Sequence, residues 1–93
     1  MDPIKILYCD ALIPHHEYIT HVGSEKVRYT TDQAVDLLDA GCVLYTTDAR
    51  GQIALVMPVN VKGKRHIQTY ADGVPNNNLL SLPPCPQWLR DAA

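Results

Sequence analysis

The sequence predicts an α+β domain: a mainly antiparallel sheet of about five strands with one short helix packed on one face, in the order β-β-α-β-β-β. Three observations carry this. Ile53 to Val61 alternates in strand fashion. A helical run opens at Thr30 with capping chemistry and closes at Gly41. Turn signals at Gly51, at Lys62-Gly63-Lys64 and at Asp72-Gly73 punctuate segments rich in β-formers.

Taken in order, Ile4 to Leu12 is apolar apart from Lys5 and Asp10, and reads as the first strand, ended by Pro14. Glu17 to Val22 holds the Tyr-Ile-Thr core of a second strand, and Gly23 to Lys26 is a turn. In Thr30-Thr31-Asp32-Gln33 the Thr30 hydroxyl is placed to accept from the Gln33 amide while the Gln33 side chain reaches back. Ala34, Val35, Leu37 and Leu38 then recur at helical spacing, giving a helix of about ten residues that needs packing to persist. Asp32, Asp36 and Asp39 form its outer stripe; Asp32 suits the positive end of the helix and Asp39 does not.

Cys42 to Thr47 reads as the third strand, followed by the hairpin loop Asp48 to Gln52. On the fourth, Ile53, Leu55, Met57, Val59 and Val61 share one face. Pro58 lacks an N–H, which marks this strand as an edge or as bulged. Arg65 to Ala71 is the fifth strand. Beyond the Asp72-Gly73 turn, Asn76, Asn77 and Asn78 tolerate left-handed backbone and can bond their own chain. Leu79, Leu80 and Leu82 return to the core, and Pro83, Pro84 and Pro86 fix the exit. Residues 86–93 form a tail expected to dock through Trp88 and Leu89, and residues 1–93 make one domain.

Composition narrows the function classes. The 93 residues are 46% hydrophobic and 19% charged, as in globular chains. A net charge of -2 argues against a general electrostatic grip on nucleic acid. No apolar run approaches the roughly 18 residues a membrane span needs, and the N-terminus has no signal pattern, so a cytoplasmic protein without membrane contact is expected. Cys9, Cys42 and Cys85 are an odd set with no CxxC, as expected of reduced, buried thiols.

Candidate chemistry is sparse. On extended chain His15 and His16 face opposite ways, and His15 lies roughly 20 Å from His21 at about 3.3 Å per residue. A metal site would need help from His66, Cys9 or Cys85, and no metal or other cofactor is expected. Cys85 sits between Pro84 and Pro86, which removes nearby N–H donors that an oxyanion hole requires. Glycine-rich phosphate loops and nucleophile elbows are lacking. Pro83-Pro84-Cys85-Pro86 has the spacing of a polyproline ligand, but a tail docked across the domain through Trp88 and Leu89 is the better account of it.

Ile19-Thr20-His21-Val22, the helix from Thr31-Asp32-Gln33-Ala34-Val35 to Gly41, and Thr69-Tyr70-Ala71-Asp72-Gly73 with Asn78-Leu79-Leu80-Ser81-Leu82-Pro83 and Cys85 occur in that order. Together they resemble a family of small bacterial proteins classed as a domain of unknown function, over roughly residues 17 to 85. The resemblance implies a bacterial, phage or mobile-element origin and brings no catalytic residue or cofactor. The doubled Pro83-Pro84 and the three consecutive Asn depart locally from it.

The sequence therefore points to a non-enzymatic binding or protein-interaction module for a protein or small ligand. Its candidate binding loop is Asp72, Gly73, Asn76, Asn77 and Asn78. The alternative is weak nucleic-acid or phosphate binding through the basic tip, with Lys62, Lys64 and Arg65 as contacts; its own alternative explanation is a charged tip that keeps an edge soluble. An enzyme using Cys85 with a histidine stands third. A homodimer is the expected way to cover a sheet face that one short helix leaves open, with Val56 and Tyr45 adding exposed apolar area.

Overall fold

A computed structural model describes residues 2–91. The strands are β1 (Ile4–Lys5), β2 (Tyr8–Ala11), β3 (Ile19–Gly23), β4 (Arg28–Thr30), β5 (Leu44–Thr47), β6 (Ile53–Val61), β7 (Lys64–Ala71) and β8 (Val74–Asn76). Helix α1 spans Thr31–Asp39 and helix α2 spans Gln87–Asp91, and single 3-10 turns occupy His16–Tyr18 and Leu79–Ser81. The class is α+β, with two sheets. A five-stranded sheet runs β1-β5-β6-β7-β8, and a three-stranded antiparallel sheet runs β2-β3-β4. The larger sheet is mixed, because β1 lies parallel to β5. Among the described residues no helix is long and apolar enough to cross a membrane.

The expected first strand divides between the sheets. Ile6 donates its N–H to Tyr45 O (2.7 Å) in the larger sheet, and Leu7 donates to Gly23 O (2.8 Å) in the smaller one. Successive amides of an extended chain point to opposite sides, so one short run can bond two neighbours. The expected second strand starts only at Ile19, because Tyr18 N closes a turn on His15 O (2.9 Å). His16 therefore lies in a 3-10 turn rather than on extended chain, with His15 as its extended N-cap.

Helix α1 follows its local signals. Gln33 N donates to Thr30 Oγ1 (3.1 Å) and Thr30 N to Gln33 Oε1 (2.9 Å), completing the capping box. Gly41 takes φ +93° and Cys42 N reaches back to Leu37 O at 2.9 Å, the bond pattern of a Schellman end. Ala34 and Val35 are its buried residues. Both long hairpins use turns with two left-handed residues: Lys62 and Gly63 at φ 53° and 80°, Asp72 and Gly73 at 53° and 78°. That geometry matches the twist of the flanking strands.

Strand β6 differs from expectation in its facing. Ile53, Leu55 and Met57 do share one side, but that side is exposed, at 57%, 45% and 42%. The core takes Ala54 and Val56 instead. Val56 is 1% exposed and so does not supply the open apolar area expected of it, whereas Tyr45 is half-buried and shares the outward row with Leu55. The strand is central rather than an edge, pairing with β5 and β7. Pro58 nevertheless lies past the β5 register, whose first pair is Tyr45 with Leu55, and the β7 register runs through it without a bulge. The missing N–H thus falls where β6 has one neighbour only.

The core sits between the inner face of the larger sheet (Leu44, Val56, Ile67), the smaller sheet (Ile19, Val22) and α1, with Leu79 closing one end. The tail docks through Leu89, fully buried, while Trp88 is 57% exposed. Its last two positions, 92 and 93, lie outside the described residues.

Candidate functional site

The outer face of the larger sheet is the most extensive candidate surface. Register aligns Lys5, Tyr45, Leu55, Tyr70 and Pro75 in one row across all five strands. Leu55 stands at its centre between two half-buried tyrosines. Ile53 and Met57 extend the apolar surface along β6, and Val43 (45% exposed) adds to it ahead of β5. A groove of about 700 Å³ runs along Ile53, Leu55, Met57 and Tyr70 to the Asp72-Gly73 turn. Formal charge among the paired outer positions is confined to the margins, Lys5 on β1 and Lys64 at the start of β7. That depletion of charge at the centre is the mark of interface cores.

A second feature is a buried ionic cluster. Asp10 on β2 is 8% exposed. Its Oδ2 accepts from Arg28 Nε (3.1 Å) and Nη2 (2.9 Å), and its Oδ1 accepts from Cys85 N (3.0 Å) and Arg90 Nη2 (3.0 Å). Arg90 Nε also donates to Cys85 O at 3.1 Å. Burial alone would raise the Asp10 pKa; the Cys85 amide, Arg28 and Cys85 bonds and the Arg90 charge outweigh it and hold the carboxyl below its usual range. His21, across the ladder from Asp10, is held below its ordinary value by burial and by Arg28, with Asp10 opposing. A cleft of about 620 Å³ opens here, with Thr20 and His21 on its wall. Chemically the cluster is a staple: each contact ties β2 to β4 or to the chain after Pro84.

The thiols beside it are held protonated. Burial, then the charges of Asp10 and Cys85, push Cys9 up to about 12. Burial and bonding to Asp10 raise Cys85 as well. A protonated thiol is a poor nucleophile.

The two segments singled out in the sequence lie apart from this cluster. Asn76 Oδ1 accepts from Asn78 N (3.0 Å), and Asn77 O accepts from both Ser81 N (3.1 Å) and Ser81 Oγ (3.0 Å). Asn76 O also accepts from Thr69 Oγ1 at 3.1 Å. The Asn run thus spends much of its polarity in shaping the 3-10 turn, and Asn77 is its exposed member. Asp72 and Gly73 border the apolar groove instead. At the basic tip Lys62 and Lys64 are exposed, whereas Arg65 spans the acidic stripe of α1: 2.7 Å to Asp36, 3.9 Å to Asp32 and 3.8 Å to Asp39.

With this geometry in view, comparison with known proteins places the chain. Residues 12–83 match the family model described as Protein of unknown function (DUF3892). The chain belongs to that family. Neither the curated proteins nor the solved structures return a match. The DUF3892 segment includes α1 and β3 to β8, hence four of the five strands of the larger sheet, the Asn loop and the basic tip. Asp10, Cys85 and Arg90 fall outside it, so the staple joins the two ends of the chain that flank the matched segment.

The turn before β3 carries the one set of described metal-capable donors close enough to share an ion. Donor atoms of His15, His16 and Glu17 lie within 4.8 Å of one another. The His15 and His16 rings stack with centroids 4.5 Å apart, and His66 of β7 meets His16 edge-on at 6.5 Å. Burial first, then the charges of His15 and His66, lowers the His16 pKa against the opposing Glu17.

Sequence reasoning missed the row through Leu55 and the staple at Asp10. Alternation does report which β6 residues lie together; the tyrosines at 45 and 70 were visible but could not be registered against Leu55 without the pairing. The staple partners are 18, 75 and 80 residues from Asp10, and no local pattern links them.

Proposed function

We propose that this protein is a non-enzymatic interaction module that pairs with a second copy of itself through the outer face of its five-stranded sheet. The observation that carries the reading is the exposed apolar ridge Ile53, Leu55 and Met57 on a central strand. A strand apolar on both faces fits a sheet covered on both. The face is modest in projection: strands of two, four, nine, eight and three residues, at about 3.3 Å per residue and about 4.8 Å apart, give roughly 400 Å² before the relief of the side chains is added. A standard interface buries about 800 Å² per partner. The row through Leu55 suits a two-fold axis, which sets β6 of one copy over β6 of the other with the tyrosines on either flank. The protonated Cys9 and Cys85 thiols support a non-catalytic role, and as free thiols they fit a reducing compartment such as the cytoplasm.

Sedimentation equilibrium tests this directly. The wild-type chain is expected to sediment as a dimer and Leu55→Glu as a monomer with an unchanged far-UV circular dichroism spectrum. Burying Leu55 contributes on the order of 1 kcal/mol per copy, and a glutamate there adds the cost of an unpaired charge. A wild-type chain that stays monomeric at its highest soluble concentration overturns the proposal.

A further inference from the structure

We propose that His15, His16, Glu17 and His66 form a binding site for a divalent transition-metal ion of the zinc class. Two independent parts of the chain supply the donors. The 3-10 turn brings His15, His16 and Glu17 to within 4.8 Å of one another, atom to atom. Strand β7 brings His66 from a position 50 residues further along, edge-on to His16 with ring centroids 6.5 Å apart. The junction is possible because β8 covers β7 only at Thr69–Ala71, which leaves the half around His66 open to the turn packed beside it.

The donor set selects the ion. Three imidazoles and one carboxylate suit zinc, nickel or copper, whereas calcium and magnesium want several oxygens. The geometry is close to what coordination needs. With metal–nitrogen bonds of about 2.0–2.1 Å, two imidazoles on one tetrahedral ion have ring centres about 5 Å apart. The observed 4.5 Å and 6.5 Å bracket that value, so His16 stands near coordination distance from both His15 and His66. The hydrogen bond that His15 Nδ1 accepts from Glu17 N is long, at 3.2 Å. Releasing it frees His15 to complete the set. Tyr18, which meets the His15 ring edge-on at 6.2 Å, shields that side of the site.

The ion would clamp the turn before β3 to β7, two segments otherwise joined there by ring contacts. Binding would therefore be linked to stability, with the turn and the strand held together by an ion that the unfolded chain cannot chelate in the same way.

Calorimetric titration of the chelator-treated protein with zinc chloride tests the site, alongside thermal melts with and without zinc. The expected result is one ion per chain at micromolar affinity and a melting temperature raised by several degrees. His66→Ala is expected to weaken binding at least tenfold and to abolish the thermal shift, and Glu17→Gln to weaken it less. Both positions are on the surface or half-buried, and circular dichroism establishes that each variant is folded. Wild-type binding no tighter than millimolar overturns the proposal. So does a His66→Ala protein that binds as the wild type does, because the turn alone would then account for the affinity.

Discussion

Thr46 and Thr69 are both fully buried on the inner face of the larger sheet, yet their hydroxyls are in opposite situations. Thr69 Oγ1 donates to Asn76 O (3.1 Å) and accepts from Leu79 N (3.3 Å), so it holds the Asn loop and the second 3-10 turn against β7. Thr46 Oγ1 has no hydrogen-bond partner among the described residues. An unsatisfied buried hydroxyl costs about 1–3 kcal/mol, and replacing it by a methyl group of the same shape recovers part of that. Thr46→Val is therefore expected to stabilise the fold by about 1 kcal/mol. Thr69→Val is expected to destabilise it by about 1–3 kcal/mol, since it strands the Leu79 amide. Urea unfolding of the two variants checks both signs. The same residue type on the same face was indistinguishable in the sequence, because the partners of Thr69 come from beyond the Asp72-Gly73 turn. What was legible at this scale was the Asn run's habit of bonding its own chain, since Asn76 to Asn78 and Asn77 to Ser81 are short-range contacts.

At the scale of elements, short-range chemistry carried well and facing did not. The capping box of α1, its Gly41 end and the paired left-handed turns all depend on residues no more than five apart, and each is where the sequence puts it. Strand β6 shows the limit. Alternation groups Ile53, Leu55 and Met57 correctly, but only α1 and the smaller sheet decide that Ala54 and Val56 turn inward. Helix α2 was hidden for a similar reason: five residues with one buried leucine make no periodic signal. Its docking is set by Gly23. A Cβ there would stand 2.6 Å from Leu89 Cδ2 and 3.2 Å from both Cys85 Sγ and Tyr8 Cδ2. Gly23→Ala is thus expected to push α2 off the smaller sheet, and hydrogen exchange reports it: the Leu89 and Arg90 amides lose protection while those of α1 keep theirs. Unchanged protection at Leu89 would mean that the packing at Gly23 does not hold the tail.

For the whole molecule the arrangement of the two sheets is what local pattern could not supply, since it rests on Ile6 and Leu7 bonding opposite neighbours and on a staple joining β2 to the chain's last helix. That staple makes stability depend on pH in two steps. His21 is held below the roughly 6.5 of the unfolded chain, so the unfolded state binds more protons between the two values. Stability is therefore full above about pH 7 and falls as pH drops below about 6.5 through the lower folded value, where it levels off. His16 shifts the same way and adds to this step. Asp10 is held below the roughly 3.9 of an unfolded aspartate, so its contribution is present above that value and is lost as pH falls through the folded one. Asp10→Asn leaves Arg28 and Arg90 facing each other without a counter-charge. Breaking a buried pair costs about 3–5 kcal/mol, and the solvent reaching both arginines reduces this to roughly 2–3 kcal/mol at neutral pH. The variant also removes the one charge that favours His21 protonation, so its upper step is expected to deepen while its lower step disappears. Urea midpoints between pH 2.5 and 8, in buffer containing chelator, measure both steps in wild type, Asp10→Asn and His21→Asn. His21→Asn should shrink the upper step and leave the lower one. A wild-type profile that is flat from pH 7 to 5, or an Asp10→Asn profile that keeps the acid step, would show that the charges around β2 do not govern folding.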